Sequence, residues 1–148
     1  MINKPNQIAS DLSQIVKGDI YSDIIHRAAY STDASIYRIL PQCVVMPRDE
    51  NDVVAVTKYA KEHNIPIVAR GGGTGVAGES LSEGIVFVMG KYMNKILGVE
   101  KNGEMVTCQP GTVLDELNQY LTKYGRKIGP DPSSASRALV GGCLANNA

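Results

Sequence analysis

The sequence predicts an α+β fold, in which a small parallel βαβ subdomain is followed by the start of an antiparallel α+β subdomain. Two apolar segments with a helical pattern between them, joined by short connections, predict the first part. Asn102 and Gly103, flanked by two strand-like segments, predict a hairpin in the second part, because both turn positions need positive φ. A chain of 148 residues suffices for one domain of ordinary size.

The N-terminal region is expected to form a helix over residues 6–17, which Gly18 is placed to end. Its apolar residues recur at helical spacing: Ile8, Leu12 and Ile15. Residues 19–41 have a mixed pattern, so irregular structure is expected there.

The βαβ unit begins with the apolar strand Cys43–Met46. A helix with Asp49 or Asn51 as its cap extends from there through His63, and a second strand covers residues 65–69. One side of the helix is apolar, with Val53, Val56 and Ala60. We expect the two strands to be parallel and their crossover to be right-handed.

The second part begins after a further apolar strand at residues 85–89. The hairpin strands are predicted at Ile96–Glu100 and 104–109. A helix follows, because Thr112 and Asp115 have the spacing of a capping box. Its apolar stripe contains Leu114, Leu117, Leu121 and Tyr124.

Composition and charge limit the classes of function. Lys and Arg number 15, as do Asp and Glu, and no long basic block occurs, so nucleic acid is not an expected partner. The apolar runs are too short for a transmembrane segment, and the N-terminus lacks a signal-peptide core, so we expect a cytoplasmic protein. Cys43, Cys108 and Cys143 form no C-x-x-C pair, and they predict no metal site.

The stretch RGGGTGVAG, residues 70–78, contains Gly73, Gly75 and Gly78 at the spacing G-x-G-x-x-G. In a nicotinamide-dinucleotide domain, such glycines open a crossover helix that directs its N–H groups at the pyrophosphate. Here only six residues separate Gly78 from the strand that begins at Ile85, and they show no helical pattern. A P-loop is excluded as well, because no Lys followed by Ser or Thr succeeds the glycines.

The same loop is suited to binding phosphate without a helix. The glycines in residues 71–75 remove side chains and permit unusual φ, so successive N–H groups can converge on an anion. Thr74 can add a hydroxyl donor, and Arg70 can add positive charge. We therefore favour a phosphate site over a turn that merely needs glycine. An NAD-dependent dehydrogenase is the alternative enzyme.

The C-terminal tract, GPDPSSASRALVGGCLANNA, combines prolines, serines, a glycine pair and asparagines. Ser133, Ser134 and Ser136 offer donors and acceptors to a polar ligand, and Gly141 and Gly142 permit close approach of backbone. The alternative is a turn followed by a helix of small residues. The tract by itself does not distinguish the two.

Several tracts together resemble a known family. RGGGTGVAG, GPDPSSASR and VGGCLANNA, in this order, are similar to the FAD-binding domain of the vanillyl-alcohol oxidase (PCMH-type) flavoproteins. VVMPRDENDV at 44–53 and PGTVLDEL at 110–117 resemble the branch that contains bacterial glycolate oxidase and D-lactate dehydrogenase-like enzymes. The resemblance divides the chain into an N-terminal helix and irregular segment, 1–32, and an FAD-binding domain, 33–148, incomplete at its C-terminus.

The resemblance implies that FAD lies between the two subdomains and that the glycine loop wraps its diphosphate. It implies these cofactor-binding residues: Arg70, Gly71, Gly72, Gly73, Thr74, Gly75, Gly78, Pro130, Asp131, Ser133, Ser134, Ser136, Gly141, Gly142 and Asn146. Some relatives attach FAD covalently through a histidine in this loop. The matching position here is Thr74, so we expect noncovalent FAD.

The resemblance also implies a reaction, the oxidation of a 2-hydroxy acid of the glycolate or D-lactate type by hydride transfer to FAD. Family members continue into a substrate-binding domain that holds the catalytic groups, and some long members add an iron–sulfur module. Because the sequence ends at Ala148, we expect a fragment that has no catalytic residues and is inactive alone. A noncatalytic fold remnant that self-associates through open strand edges is the further alternative.

Overall fold

The computed structural model describes residues 5–148 of the chain. Its helices and strands have these bounds: α1 (Pro5–Leu12), β1 (Asp19–Tyr21), α2 (Ile24–Ala29), β2 (Cys43–Met46), α3 (Glu50–Glu62), β3 (Ile67–Arg70), β4 (Ile85–Val88), β5 (Ile96–Glu100), β6 (Met105–Cys108), α4 (Leu114–Leu121) and α5 (Val140–Ala145). The predicted α+β class is confirmed: a unit with parallel strands is followed by an antiparallel hairpin and helices.

A four-stranded sheet with the order β1-β2-β4-β3 forms the first part of the fold. β2 and β3 both run parallel to β4, as predicted for the strands of the βαβ unit, and β4 lies between them. β1 is antiparallel to β2 and forms one edge. Every residue of β2 and β4 is buried, which explains their unbroken apolar sequences: both faces of these central strands are covered.

The core lies on both faces of this sheet. On one face, α1 and α3 pack on alternate residues of β2 and β4, in a cluster of Ile8, Leu12, Cys43, Val45, Val56, Tyr59, Ala60, Ile85 and Phe87. The other face has a smaller cluster of Val44, Met46, Val86 and Val88, which Tyr21, Tyr30, Val68 and Tyr92 partly cover. The period of two along each strand therefore assigns neighbouring residues to different faces.

The N-terminal helix is shorter than the sequence pattern predicts. α1 ends at Leu12, residues 13–15 form a turn, and Ile15 is 50% exposed. Ile8 and Leu12 provide the apolar face that packs on the sheet. Gly18 therefore does not end a helix. It lies against Met46, where a Cβ would be only 2.1 Å from the carbonyl oxygen.

Residues 19–41 contain β1 and α2, so the expectation of irregular structure throughout is wrong. The carboxylate of Asp23 caps α2 by accepting hydrogen bonds from the N–H groups of Ile25 and His26, both at 3.1 Å. β1 is a strand because it pairs with β2, which is distant in sequence. Three residues are too few to show a period of their own.

A buried carboxylate joins the N-terminal segment to the first turn of α3. Asp52 is 2% exposed, and its oxygens accept hydrogen bonds from the backbone N–H groups of Lys17, Gly18 and Arg48 at 2.8–2.9 Å. One side chain thus satisfies donors from two separate segments. Because β1 begins directly after Gly18, Asp52 fixes the point at which the chain enters the sheet.

The two predicted helix caps have different outcomes. Asp49 caps α3, accepting from the N–H groups of Asn51 and Asp52, so the first of the two candidate caps is confirmed. Thr112 does not cap α4: its hydroxyl donates to the carbonyl of Gln109 at 2.8 Å, and no side chain caps the helix at Val113. The predicted capping box is therefore wrong, because the turn before the helix already uses that hydroxyl.

The hairpin is confirmed, but its turn is longer than the predicted two residues. β5 and β6 pair antiparallel, with a register irregularity between Ile96 and Gly98. Lys101, Asn102 and Gly103 form a short 3₁₀ turn, and all three have positive φ, at 48°, 54° and 92°. Asn102 and Gly103 thus adopt the left-handed backbone expected of them, with Lys101 added.

Candidate glycine-loop site

The loop between β3 and β4 contains bends and turns but no helix over residues 71–84. The NAD-dependent alternative requires a helix at residues 75–82, because that helix would bind the pyrophosphate. The loop instead leaves the carboxyl end of one parallel strand and returns to the start of the next. Ligand sites in parallel sheets form at this end of the strands.

The backbone of this loop presents donors rather than side chains. Within the described residues, the consecutive N–H groups from Gly72 to Val76 donate to no protein atom, whereas the N–H of Ala77 donates to Glu79. Gly73 has a φ of 64°, which places it in the left-handed region. Neighbouring N–H groups in such a bend can converge on one anion. The loop therefore leaves a run of backbone donors available to an anion, as the predicted phosphate site requires.

The C-terminal tract packs directly on the glycine loop. A Cβ built on Gly72 would lie 2.2 Å from the carbonyl oxygen of Arg137, and one on Gly71 would touch Leu139 at 3.4 Å. Locally the tract is a turn at residues 133–137 followed by α5, which is the small-residue alternative considered above. That turn and helix form the wall opposite the loop.

A cleft of about 270 Å³ lies between the loop and this wall. The predicted site residues that line it are Gly71, Gly72, Gly73, Thr74, Gly75, Ser134, Gly142 and Asn146. Two tracts about sixty residues apart in the sequence are thus brought together around one space.

Arg70 lies beneath the loop rather than in the cleft. Its side chain is buried, and a Cβ on Gly73 would be 2.3 Å from the guanidinium Nη2. Burial lowers the pKa of Arg70 and the carboxylate of Asp33 opposes that shift, but an arginine keeps its charge in proteins. The loop backbone is therefore in contact with a positive charge held away from water.

Asp33 balances that charge through a serine. Nη1 of Arg70 donates to Oγ of Ser80 at 3.4 Å, and this hydroxyl donates to Asp33 at 3.0 Å. Burial would raise the pKa of Asp33, but hydrogen bonds from Ser35 and Ser80 lower it below its usual value. The next residue, Ala34, donates its N–H to the carbonyl of Gly73 at 3.0 Å, so this segment also holds the loop.

The remaining predicted site residues lie outside the cleft. Gly78 has a φ of 81° and packs against the ring of Tyr37. Pro130 and Gly141 line an apolar groove of about 530 Å³ on another side of α5. Three more are exposed and line neither space: Asp131, whose carboxylate is 3.5 Å from Lys127 Nζ, and Ser133 and Ser136.

Apart from alanines, three residues of the cleft wall escaped prediction from the sequence, namely Glu79, Ser80 and Leu139. Pro132 and Cys143, which also line the cleft, lie inside the two segments that the resemblance assigns to the cofactor. Glu79 was placed in the connecting loop and Leu139 between two motifs, where no local pattern distinguishes them. Within residues 5–148, no group of His, Cys, Asp or Glu side chains is placed to hold a metal ion.

Comparison with known proteins identifies the class. The chain belongs to the family described as the FAD binding domain, whose model matches residues 41–148. It is 37% identical over 134 residues to the D-2-hydroxyglutarate dehydrogenase of Pantoea ananatis, covering 88% of this chain and 13% of that protein. Against glycolate oxidase subunit GlcD of Bacillus subtilis, it is 32% identical over 123 residues, covering 82% of this chain and 26% of that protein.

The fold comparison agrees. A solved alkyldihydroxyacetonephosphate synthase matches 98% of this chain and 30% of its own, with a TM-score of 0.81 and 24% identity, which is a likeness of fold. The predicted membership of the PCMH-type flavoproteins, near glycolate oxidase and D-lactate dehydrogenase, is confirmed. FAD is the cofactor of this domain family, and the chain spans 13% to 26% of the length of the two curated relatives above.

Proposed function

We propose that this chain is the nucleotide-binding part of an FAD-dependent oxidoreductase and that the glycine loop binds the FAD diphosphate. The observation that carries the proposal is the run of unpaired N–H groups from Gly72 to Val76, in a loop that lines a cleft and lies over the charge of Arg70. An anion of two phosphates supplies acceptors for these donors. Because the glycines of the loop carry no side chains, the diphosphate can approach the backbone closely.

In this proposal, both walls of the cleft contribute polar side chains that contact the cofactor. Thr74 adds a hydroxyl donor on the loop side, and Ser134 and Asn146 add polar groups on the opposite wall. Pro130, Asp131, Ser133, Ser136 and Gly141 are proposed to contact other parts of the cofactor. None of the described residues that line the cleft is a histidine, which supports noncovalent FAD, with Thr74 at the position that the resemblance assigns to a covalent link.

The proposed activity is oxidation of a 2-hydroxy acid by the whole enzyme. Bound FAD supplies the redox chemistry, as the acceptor of a hydride from the carbon that bears the hydroxyl. The residues of this chain bind and orient the cofactor and carry no assigned catalytic role. The names of the relatives, which refer to D-2-hydroxyglutarate, glycolate and D-lactate, support this substrate class.

Two further sequence predictions belong to this proposal. The boundary between residues 1–32 and 33–148 places Asp33, which contacts Ser80 of the glycine-loop connection, at the start of the FAD-binding domain.

A cytoplasmic location is proposed from the composition. In residues 5–148, the structure contains no helix that is both long and apolar enough to cross a membrane.

The direct test is FAD binding by this chain. We expect titration with FAD to shift the flavin absorption bands and to stabilise the fold, by about 2.7 kcal/mol when free FAD is at a hundred times Kd. Riboflavin, which lacks the diphosphate, is the matched control and should bind more weakly. A chain that takes up no FAD and self-associates in sedimentation would instead favour the noncatalytic remnant.

The position of the cofactor can be tested by alkylation, because the three cysteines differ in their surroundings. Cys143 lines both the cleft and the apolar groove, Cys108 lines the groove alone, and burial raises the pKa of Cys43 to about 12. With FAD at ten times Kd, we expect the rate at Cys143 to fall about tenfold, and that at Cys108, which does not line the cleft, to fall less. Cys43 should react only in the unfolded chain. An unchanged rate at Cys143 would place FAD elsewhere.

A further inference from the structure

The carboxylate of Glu79 occupies the glycine loop. Its Oε2 accepts the N–H of Ala77 at 3.1 Å, and its Oε1 accepts the side-chain amide of Asn146 at 2.9 Å. A Cβ built on Gly75 would lie 1.6 Å from Oε1, so the carboxylate rests directly on the loop backbone. Glu79 thus connects the loop to the end of α5, across the cleft that both line.

This carboxylate has no compensating cation. Among the described residues, no Lys or Arg forms an ion pair with Glu79, and the buried charge of Arg70 is joined instead to Asp33 through Ser80. Of the two donors that Glu79 holds, the amide of Asn146 belongs to the cleft wall and the N–H of Ala77 to the glycine loop. The loop therefore already binds one anion, and that anion belongs to the chain itself.

We propose that Glu79 is an internal competitor of the cofactor diphosphate and that it sets the affinity of the cleft for phosphate-bearing ligands. A diphosphate on the loop would lie close to a carboxylate of the same sign, which weakens binding unless the side chain rotates away. Rotation releases Ala77 and Asn146, so their donors pass from the carboxylate to the ligand. Glu79 lies at the surface of the loop and not in either core cluster, so this rotation requires no change in the core.

The inference rests on the proposed function, and ligands with and without phosphate separate the two. The probes are FAD, ADP and riboflavin, titrated into the wild-type chain, Glu79→Gln and Glu83→Gln. The Glu79→Gln change keeps an acceptor and removes the charge. Glu83 lies four residues further on and is not part of the cleft lining, so Glu83→Gln controls for net charge.

We expect Glu79→Gln to bind FAD and ADP about five- to tenfold more tightly, the effect of removing one like charge near the ligand. Riboflavin binding should not change, and Glu83→Gln should resemble the wild type. Unchanged or weaker binding of FAD by Glu79→Gln, or an equal gain for riboflavin, overturns the role of Glu79 while the proposed function stands. If wild type and variants all fail to bind both FAD and ADP, the proposed function is overturned and the inference with it.

Discussion

Asp52→Ala is expected to lower the free energy of unfolding by about 3–4 kcal/mol, because it removes three hydrogen bonds to a buried carboxylate, each contributing about 1 kcal/mol or more. The carboxylate is 2% exposed and accepts from the N–H groups of Lys17, Gly18 and Arg48, which alanine cannot replace. The Gly18 segment cannot move closer to close the gap, because its Cα already lies against the carbonyl of Met46. A loss of this size is a large part of the free energy of unfolding of a typical domain, which is about 5–15 kcal/mol.

Urea unfolding followed by circular dichroism measures this change. Asp52→Asn should also destabilise the fold, because in either orientation its NH₂ group replaces a carboxylate oxygen that accepts a backbone N–H, and an NH₂ group cannot accept. Asp131→Ala is the control: its carboxylate is 71% exposed and pairs with Lys127 at 3.5 Å, so we expect a change within about 0.5 kcal/mol. Equal effects of Asp52→Ala and Asp131→Ala would contradict this account of the N-terminal segment.

The elements that the sequence predicted well are those whose signal is local. β2 and β4 are buried on both faces, so their residues are apolar without interruption, and Asp49 lies directly before the helix that it caps. β1 escaped prediction because its three residues form a strand only by pairing with β2. The excess length predicted for α1 has a related cause, since Ile15 continues the helical spacing but the chain turns away to meet Asp52.

The candidate site shows the same division. The glycine loop was recognisable because it combines absent side chains with a connection too short for a helix, and both properties are local. Its contact with Arg137 and Leu139 is tertiary, so spacing alone could not place the loop against α5. Glu79 is the clearest example: it resembles an ordinary loop residue until the fold brings Asn146 within hydrogen-bonding distance.

Gly72→Ala is expected to reduce the affinity for FAD by about a hundredfold or more, the loss of roughly two hydrogen bonds to a charged ligand. The added Cβ would lie 2.2 Å from the carbonyl oxygen of Arg137, a backbone atom that no rotation of a side chain can move. The loop must therefore shift away from the C-terminal turn. That shift moves the N–H groups from Gly72 to Val76 relative to Ser134 and Asn146, the polar residues on the other wall of the cleft.

Gly98→Ala is the matched control, because it makes the same chemical change in β5, where an added Cβ meets no atom within 4 Å. FAD titration should separate the two variants, while circular dichroism shows whether each keeps its secondary structure. If Gly72→Ala loses FAD binding but retains its fold, the defect belongs to the loop. A folded Gly72→Ala that binds FAD as tightly as the wild type would mean that the diphosphate is not bound by this backbone, because a displaced set of donors cannot bind the same anion equally well.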